Sequence, residues 1–379
     1  MKILFVSIPN HHFFQWANQL KDAGHEVHWF DITDGAGFSS KINWIQQHNG
    51  WKLRWNFPGR YFLKRKFPSI YQFINRFNTH KTTTVFNNLV TTLQPDIIHC
   101  FEMNLSGIPI VSVLEQHASI PLIYSSWGSD LYDFKSFGLS EAIVKQFLQR
   151  VTYLITDCKR DCQLALSYGF TNTFLGVFPG NGGIAFRPKV ILPTEERNII
   201  LVKGYEDGVG KALHVLEAIQ ELGLFILQNY KIVVYSADQK VVDFIATSRF
   251  YESAEVFERN QYIPNEAILE FMGKSVIHIG NSVSDGMPNS LLEAMGMGSF
   301  PIQTNPGGAT EEIILHGKNG FLISNPFDID EISKLIHSAL TNEDLRKVAH
   351  EYNVSFINEN YNRVTLQPKI VALYQNMLP

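Results

Sequence analysis

The sequence predicts an α/β protein of two doubly wound domains facing each other across a cleft. Three observations carry that expectation. At 379 residues the chain exceeds what one hydrophobic core usually organises. Runs rich in Val, Ile and Phe alternate with amphipathic stretches from end to end, the pattern of β-α-β units building parallel sheets. Between two such series, "FPGNGGIAFRPKVILPTEERN" clusters Pro, Gly and charge without periodicity.

Taken in order, the first series offers strands at "KILFVSI", "EVHWFDI", "DIIHCF", "PLIYSS" and "YLITDC", with helices expected over 10–23, 82–93, 140–150 and 159–167. The second begins at "NIILVKGY" and continues through "KIVVYSA", "SVIHIGN" and "SFPIQT", with helices at "KALHVLEAIQELG" and "NEAILEFMG". The break falls near 185–197, giving an N-terminal domain over 1–185, a C-terminal domain over 198–360 and a closing helical segment over 361–379. Ligands of such sheets bind beyond the carboxyl ends of the strands, so functional residues are expected there.

Composition narrows the class. Hydrophobic residues make up 45% of the chain and no tract is of low complexity, which excludes a disordered or fibrous protein. Cys100, Cys158 and Cys162 are too few and too badly spaced for a zinc site or a disulfide framework, which points to a reducing compartment. The opening "MKILFVSIPN" has no small-residue cleavage site and reads as a first strand. No apolar run approaches the span of a bilayer.

The net charge of −4 hides an asymmetry, because Gly35 to Pro95 contains no Asp or Glu and nine Lys and Arg. Several are interleaved with aromatics in "WKLRWNFPGRYFLKRKFPSIYQF". Such a segment suits acidic headgroups, a lipid-linked phosphate or nucleic acid, and equally a solvated basic loop and helix. Nucleic acid is set aside, since no recognised binding module accompanies it.

In "SDGMPNSLLEAMGMGSFPI", Asp285 and Glu293 stand eight residues apart. At ~1.5 Å per helical residue they are at most about 12 Å apart, the scale of a diphosphate with a sugar at each end. Pro288 suits an early helical turn, Leu291, Leu292 and Met295 suit a core face, and Glu293 falls on another face. A helix N-terminus between the carboxylates offers N–H groups and a positive dipole end to phosphate. One carboxylate would then read hydroxyls of a transferred sugar and the other those of a ribose. The plainer alternative is a turn Asp and a solvent-facing Glu.

This stretch resembles the Glu-x7-Glu signature of the retaining, nucleotide-sugar-dependent glycosyltransferases of family 4, or group 1, which have the GT-B fold. Ser282, Gly286, Pro288, Asn289, Leu292, Glu293 and Ala294 match, with Asp285 in place of the usual first Glu. The resemblance implies two Rossmann-like domains, donor contacts from Gly286, Met287, Pro288, Asn289 and Glu293, and Asp285 on the donor sugar. "MGMGSFPIQTNPGGATEEII" is similar to the family's turn, strand and Gly-Gly loop. Gly307, Gly308 and Thr310 are therefore expected to approach phosphate through backbone and hydroxyl donors.

In "VKGYEDGVGKALHVLEAI", Lys203 and Lys211 take the part of the family's basic pair, which stabilises charge developing on a leaving diphosphate. A Walker loop is excluded there, because Tyr205 and Ala212 stand where it needs Gly and Ser or Thr. "IYSSWGSDLYDF" is similar to the family's His-Gly-x-Asp loop, with Trp127 in the histidine's place and Asp130 expected to touch a sugar. An N-cap or Asx-turn role for Asp130 is the local alternative. "VFPGNGG" resembles the family's Pro-Asn-Gly turn and makes Asn181 and Gly182 cleft candidates. His11 and His12 stand where many relatives carry Gly-Gly, as candidates for acceptor or phosphate or as surface histidines at a helix start. The missing Gly-x-Gly-x-x-Gly excludes a dinucleotide fingerprint. By family analogy the last helix, over 363–377, packs back toward the N-terminal domain.

The expectation is a hexosyltransferase-type enzyme that moves a sugar, with retention, from a nucleoside-diphosphate sugar to a glycan or lipid-linked acceptor in cell-surface polysaccharide or glycolipid synthesis. UDP is the expected nucleotide. No metal-ligand cluster is visible, since Asp328-Ile329-Asp330 reads as an acidic helix start. Neither a metal nor another cofactor is expected beyond the nucleotide-sugar co-substrate. Residues 41–81 would rest on an anionic membrane surface, placing a cytoplasmic protein on the inner face of the membrane. A nucleotide-sugar epimerase of the same fold and a noncatalytic partner subunit are the rivals, the latter fed by Asp285, Trp127 and the missing Gly-Gly.

Overall fold

Strands apolar on both faces are satisfied only inside a sheet covered on both sides, and the nine apolar runs all form strands. The computed structural model describes residues 1–377 other than Ala36, and of Leu224 the backbone alone. Its strands are β1 (Lys2–Ser7), β2 (Glu26–Asp31), β3 (Gln46–His48), β4 (Ile97–Phe101), β5 (Leu122–Ser125), β6 (Tyr153–Thr156), β7 (Thr173–Val177), β8 (Ile199–Lys203), β9 (Lys231–Ala237), β10 (Ala254–Glu258), β11 (Ser275–Gly280), β12 (Phe300–Thr304) and β13 (Phe321–Ile323). They build two parallel sheets, ordered β3-β2-β1-β4-β5-β6-β7 and β10-β9-β8-β11-β12-β13. Each order turns back once, between β1 and β4 and between β8 and β11. The crevice beyond the strand ends at that switch point is where doubly wound sheets take ligands.

The strands that the apolar runs do not reveal are β3, β7, β10 and β13, the four edges of the two sheets. Edge strands have one neighbour and less cover, so short sequences such as Gln-Gln-His pair without an apolar run.

By internal contact the chain divides into two units. The first holds Met1–Thr156, Cys162–Asn181 and the chain from Ile370 onward; the second holds Asp157–Asp161 and Gly182–Lys369. In the first, Leu4, Val6, Ile98 and Tyr124 meet Phe86, Val90, Val144 and Phe147 from the helices Thr82–Leu93 and Glu141–Arg150. On the other face of its sheet the buried Tyr374 hydroxyl accepts from Trp16 Nε1 at 2.9 Å and lies 2.7 Å from His99 Nδ1. In the second, Ile200 and Val202 face one layer and Leu201 the other, the alternation of a strand covered twice.

Helix starts follow their caps. Asn10 accepts from the Phe13 N–H at 2.8 Å to open the helix His11–Asn18. That helix is shorter than expected: residues 19–23 continue as tighter turns, closed by Gly24 with φ +74°. Asp328 accepts from the Glu331 N–H at 2.9 Å and opens Ile329–Thr341, as its acidic first turn suggests. Among the described residues no helix is long and apolar enough to cross a membrane.

Candidate functional site

In the second unit the switch point is flanked by Lys203, the last residue of β8, and by the loop that leaves β11 toward the helix Asn289–Gly296. Two sets of hydrogen bonds, one of them using the Asn281 side chain, zip these loops together. The Lys211 N–H donates to the Asn281 carbonyl and the Asn281 side-chain amide donates back to the Lys211 carbonyl, both at 3.0 Å. Val283 donates to the Val209 carbonyl at 3.0 Å, beside an antiparallel bridge between Gly210 and Ser282. The long Lys203–Lys211 connection is therefore held in a fixed register against the Asp285 loop.

Lys203 is the electrostatic centre of this group. Burial raises the Asp285 carboxyl above its ordinary value, opposed by Lys203, the Gly286 N–H and Arg160. Burial likewise raises Glu293, opposed by the Asn265 amide at 3.1 Å, Arg363 and Lys203. Beneath them, burial and the same lysine hold His278 down at about 3, so its ring is neutral, 2.9 Å from the Tyr235 hydroxyl. Lys203 thus acts electrostatically on both Asp285 and Glu293. Lys211 shares the loop, but its ammonium lies over the Phe327 ring, 5.6 Å from the centroid.

Leu291, Leu292 and Met295 are buried and Glu293 is half-buried on another side of the helix. Pro288 is its N-cap residue and Met287 is buried beside it, while Asn289 is the first helical residue. A Cβ at Gly286 would overlap the Asp157 carboxylate, so a larger residue there needs that side chain to move. After β12, Gly307 and Gly308 take φ of +58° and +88°, a left-handed pair that L side chains resist. Thr310 stands differently from expectation. Its hydroxyl donates to the Thr304 carbonyl at 2.8 Å and its N–H to Asn305 Oδ1 at 3.0 Å, so both donors are spent inside the loop.

Arg160 is the residue that motif reading passed over. Its Nη1 donates to the Asp285 carbonyl at 2.8 Å and to the Pro306 carbonyl at 2.7 Å, tying the acidic loop to the Gly-Gly loop. Its other face donates to Asp161 Oδ1 at 2.9 and 2.7 Å. Asp157, Cys158 and Asp161 gather possible metal-ligand atoms within 4.8 Å of one another, but the cation beside them is this guanidinium. Glu206, to which no motif gives a role, caps the helix Ala212–Glu221 by accepting from the Leu213 N–H at 3.0 Å. Beyond β9 and β10 a recess of about 350 Å³ is lined by Ser236, Arg259, Gln261 and Tyr262. Arg259 lies 4.1 Å from the centroid of the Tyr205 ring, which Lys203 approaches at 4.7 Å.

In the first unit, the carboxyl ends of β1, β4 and β5 carry His12, Glu102 and Trp127. The Trp127 ring packs against Phe101 at 5.2 Å and His12 at 6.0 Å, and a Cβ on Gly180 would meet it at 3.1 Å. His11 is exposed beside His12, and Asn181 is buried next to Gly180.

Asp130 departs from the expected sugar contact. It is buried, and its carboxylate accepts from the Met103 N–H at 2.6 Å, the Asn104 N–H at 3.2 Å and the Tyr124 hydroxyl. It positions the turn after β4. That turn begins with Glu102, a non-glycine residue at φ +69°, whose carboxylate accepts from the Leu105 N–H at 2.6 Å. Burial holds both carboxyls above the ordinary range, and the charge of Glu102 pushes Asp130 further. An acid closing "DIIHCFE" was the available signal for Glu102.

Known proteins share sequence or fold with this chain. The model described as "Glycosyl transferases group 1" matches residues 185–355, and "Glycosyl transferase 4-like" matches residues 2–158. An uncharacterized glycosyltransferase of Methanocaldococcus jannaschii is 33% identical over 98 residues, 26% of this chain and 24% of that protein. A Bacillus subtilis glycosyltransferase named for teichuronic acid biosynthesis, TuaC, is 23% identical over 257 residues, 64% of this chain and 61% of its own. The matches thus span about a quarter and about three-fifths of these curated relatives.

Among solved structures, sucrose-phosphate synthase from Thermosynechococcus elongatus superposes with a TM-score of 0.71 at 14% identity, covering 100% of this chain and 99% of that one. HepE of Anabaena, in complex with UDP and glucose, gives 0.69 at 13% identity, with 100% of both chains covered. The two family models divide the chain between them, the two parallel sheets are those of the GT-B fold, and the chain belongs to the group 1, family 4 glycosyltransferases.

Proposed function

We propose that the protein is a retaining glycosyltransferase that moves a sugar from a nucleoside-diphosphate sugar, with UDP as the nucleotide, to a hydroxyl of a glycan or lipid-linked acceptor in cell-surface polysaccharide or glycolipid synthesis. The observation that carries this reading is Lys203, one ammonium group at the switch point that acts on Asp285 and Glu293 together. A diphosphate leaving an anomeric carbon gains charge, and a fixed cation in a partly dry recess stabilises that charge better than water does. Lys211 joins it by swinging from Phe327, and the Gly307–Gly308 backbone meets the phosphates. Asp285 and Glu293 take hydroxyls of the sugar and the ribose, and the recess beside Tyr205 takes the base.

The bond from the anomeric carbon to the diphosphate oxygen breaks, the acceptor oxygen bonds to that carbon from the same face, and the acceptor proton passes to the departing phosphate. Cationic charge comes from lysines in this scheme, with neither metal nor other cofactor. The UDP and glucose bound to HepE support the donor class, and the name of the B. subtilis relative supports a cell-surface product. Residues 41–81 hold the protein on an anionic membrane surface at the cytoplasmic face, where a lipid-linked acceptor is met.

Thermal stability measured with UDP, GDP, ADP and CMP tests the donor site, since a ligand at ~100 times its Kd stabilises by about 2.7 kcal/mol. A shift with UDP that vanishes in Glu293→Ala and Lys203→Ala is expected. No shift with any nucleotide would overturn the reading. The buried engagement of Asp130 favours a second reading, a noncatalytic subunit that retains donor binding. It predicts the UDP shift without UDP release from UDP-sugars under any acceptor.

A further inference from the structure

Between β3 and the helix Thr82–Leu93 the first unit sends out an excursion that its sheet does not need. Its base is closed: the Arg54 N–H donates to the Asn78 carbonyl and the His80 N–H to the Lys52 carbonyl, both at 2.9 Å. The buried Asn78 side chain accepts from the Trp55 N–H at 2.8 Å and donates to the Trp55 carbonyl at 2.9 Å. On this stem stand two helices, Arg60–Lys66 and Pro68–Asn78, in which Asn78 is the one buried residue.

The second helix places Ile70, Phe73, Ile74 and Phe77 at i, i+3, i+4 and i+7, the spacing of a stripe that ordinarily faces a core. Here the stripe is uncovered: Ile70, Phe73 and Phe77 are 52%, 62% and 62% exposed. Tyr61 and Phe62 on the first helix are 72% and 59% exposed. A contiguous apolar patch of this kind marks an interaction surface.

Charge selects the partner. Lys64, Arg65 and Lys66 form the last turn of the first helix, and a recess of about 480 Å³ is lined by Lys64, Tyr71, Gln72, Asn75 and Arg76. No acidic residue occurs anywhere from Gly35 to Pro95. Phenyl and aliphatic groups beside a cationic recess suit a hydrocarbon layer under phosphate headgroups, whereas base stacking would make no use of Ile70.

We propose that this helix pair lies on an anionic bilayer with Ile70, Phe73 and Phe77 at the acyl boundary, and that the recess lined by Lys64 and Arg76 takes the phosphate of one lipid headgroup. The site deepens the functional reading above and rests on it only for the lipid-linked acceptor it would bring. Docking itself depends on this surface alone.

The test sediments the full chain with vesicles of phosphatidylcholine, with and without phosphatidylglycerol, at low and high salt. Binding is expected only with phosphatidylglycerol and is expected to weaken with salt. Each cation at a charged membrane contributes about five-fold in affinity, so K41Q/K81Q, outside the recess, should lose at most about 25-fold. K64Q/R76Q should lose more, and F73S/F77S should abolish binding, while the UDP thermal shift, as a report of folding and of the donor site, stays unchanged in all three. Equal binding to neutral vesicles would overturn the anionic surface, and equal losses for the two charge pairs would overturn the headgroup recess. No sedimentation, with a mobility shift of single-stranded RNA instead, would replace the bilayer by nucleic acid. Vesicle binding without any UDP shift would sink the donor reading and leave this one standing.

Discussion

The Arg160 guanidinium donates to the main-chain carbonyl of Asp285 at 2.8 Å, and so holds the loop between β11 and the helix Asn289–Gly296 from a position 125 residues away in the chain. The same nitrogen reaches the Pro306 carbonyl at 2.7 Å, and Asp161 balances the charge. Two loops at the carboxyl end of the second sheet, those after β11 and β12, thus depend on one cation.

Replacing it is therefore expected to be severe. Arg160→Met leaves Asp161 buried without its cation, at a cost of about 3–5 kcal/mol. Urea unfolding of the full chain measures this. Adding Asp161→Asn should recover part of the loss, because the remaining buried charge is then removed. A cost under about 1 kcal/mol, as for a surface pair, would show that the loops hold without Arg160.

Gly286 tests the packing of the same loop. Gly286→Ala forces a Cβ onto the Asp157 carboxylate and should weaken UDP binding about ten-fold, or roughly 1.4 kcal/mol. The double variant Gly286→Ala, Asp157→Gly should regain most of that affinity, a coupling that a titration series can read. Additive losses would mean that the alanine acts elsewhere.

Lys203 draws Asp285 and Glu293 toward their charged forms. Lys203→Met removes that pull, so both carboxyls should titrate at higher pH and the acidic limb of UDP binding should move upward in pH. A limb that stays in place would separate Lys203 from these carboxylates.

Glu102 and Asp130 give stability a pH dependence of definite sign. Both carboxyls are raised in the folded protein, so between the ordinary carboxyl range and the raised values the folded state binds more protons than the unfolded state. Stability then falls as pH rises through that window. Asp130→Asn should flatten the fall in denaturation midpoints, and an unchanged slope would place its origin in other groups.

Thr310 separates two roles cleanly. Its hydroxyl donates to the buried Thr304 carbonyl, so Thr310→Val should cost about 1–2 kcal/mol of stability and leave UDP affinity unchanged. Unchanged stability with weakened UDP binding would return Thr310 to the phosphate site.

Much of this molecule is legible in one dimension. The interior strands announce themselves because a parallel strand covered on both faces is largely apolar, as Ile199–Val202 of β8 and Val276, Ile277 and Ile279 of β11 are. The edges β3, β7, β10 and β13 do not: each has one neighbour, β3 and β7 are partly exposed, β10 is half-buried, and β13, with Phe321 and Ile323 buried, is only three residues long. Asp285 and Glu293 stand out by their local spacing and Lys203 by the resemblance to the family's basic pair, since each lies at a strand end or on the helix that follows it.

By itself the sequence determined the layer architecture, the family, the spacing of Asp285 and Glu293 and the acid-free aromatic segment, all of which are written in composition or in spacing along a few turns. Tertiary structure alone decided that Asp130 serves a turn, that Thr310 spends its donors internally, that Arg160 clamps two loops and that the Phe73 stripe stays uncovered. The physical reason is that a hydrogen bond's partner, unlike a residue's hydrophobicity, is a property of a pair. The partners here, 125 and 146 residues from Arg160, meet only once the sheet is formed.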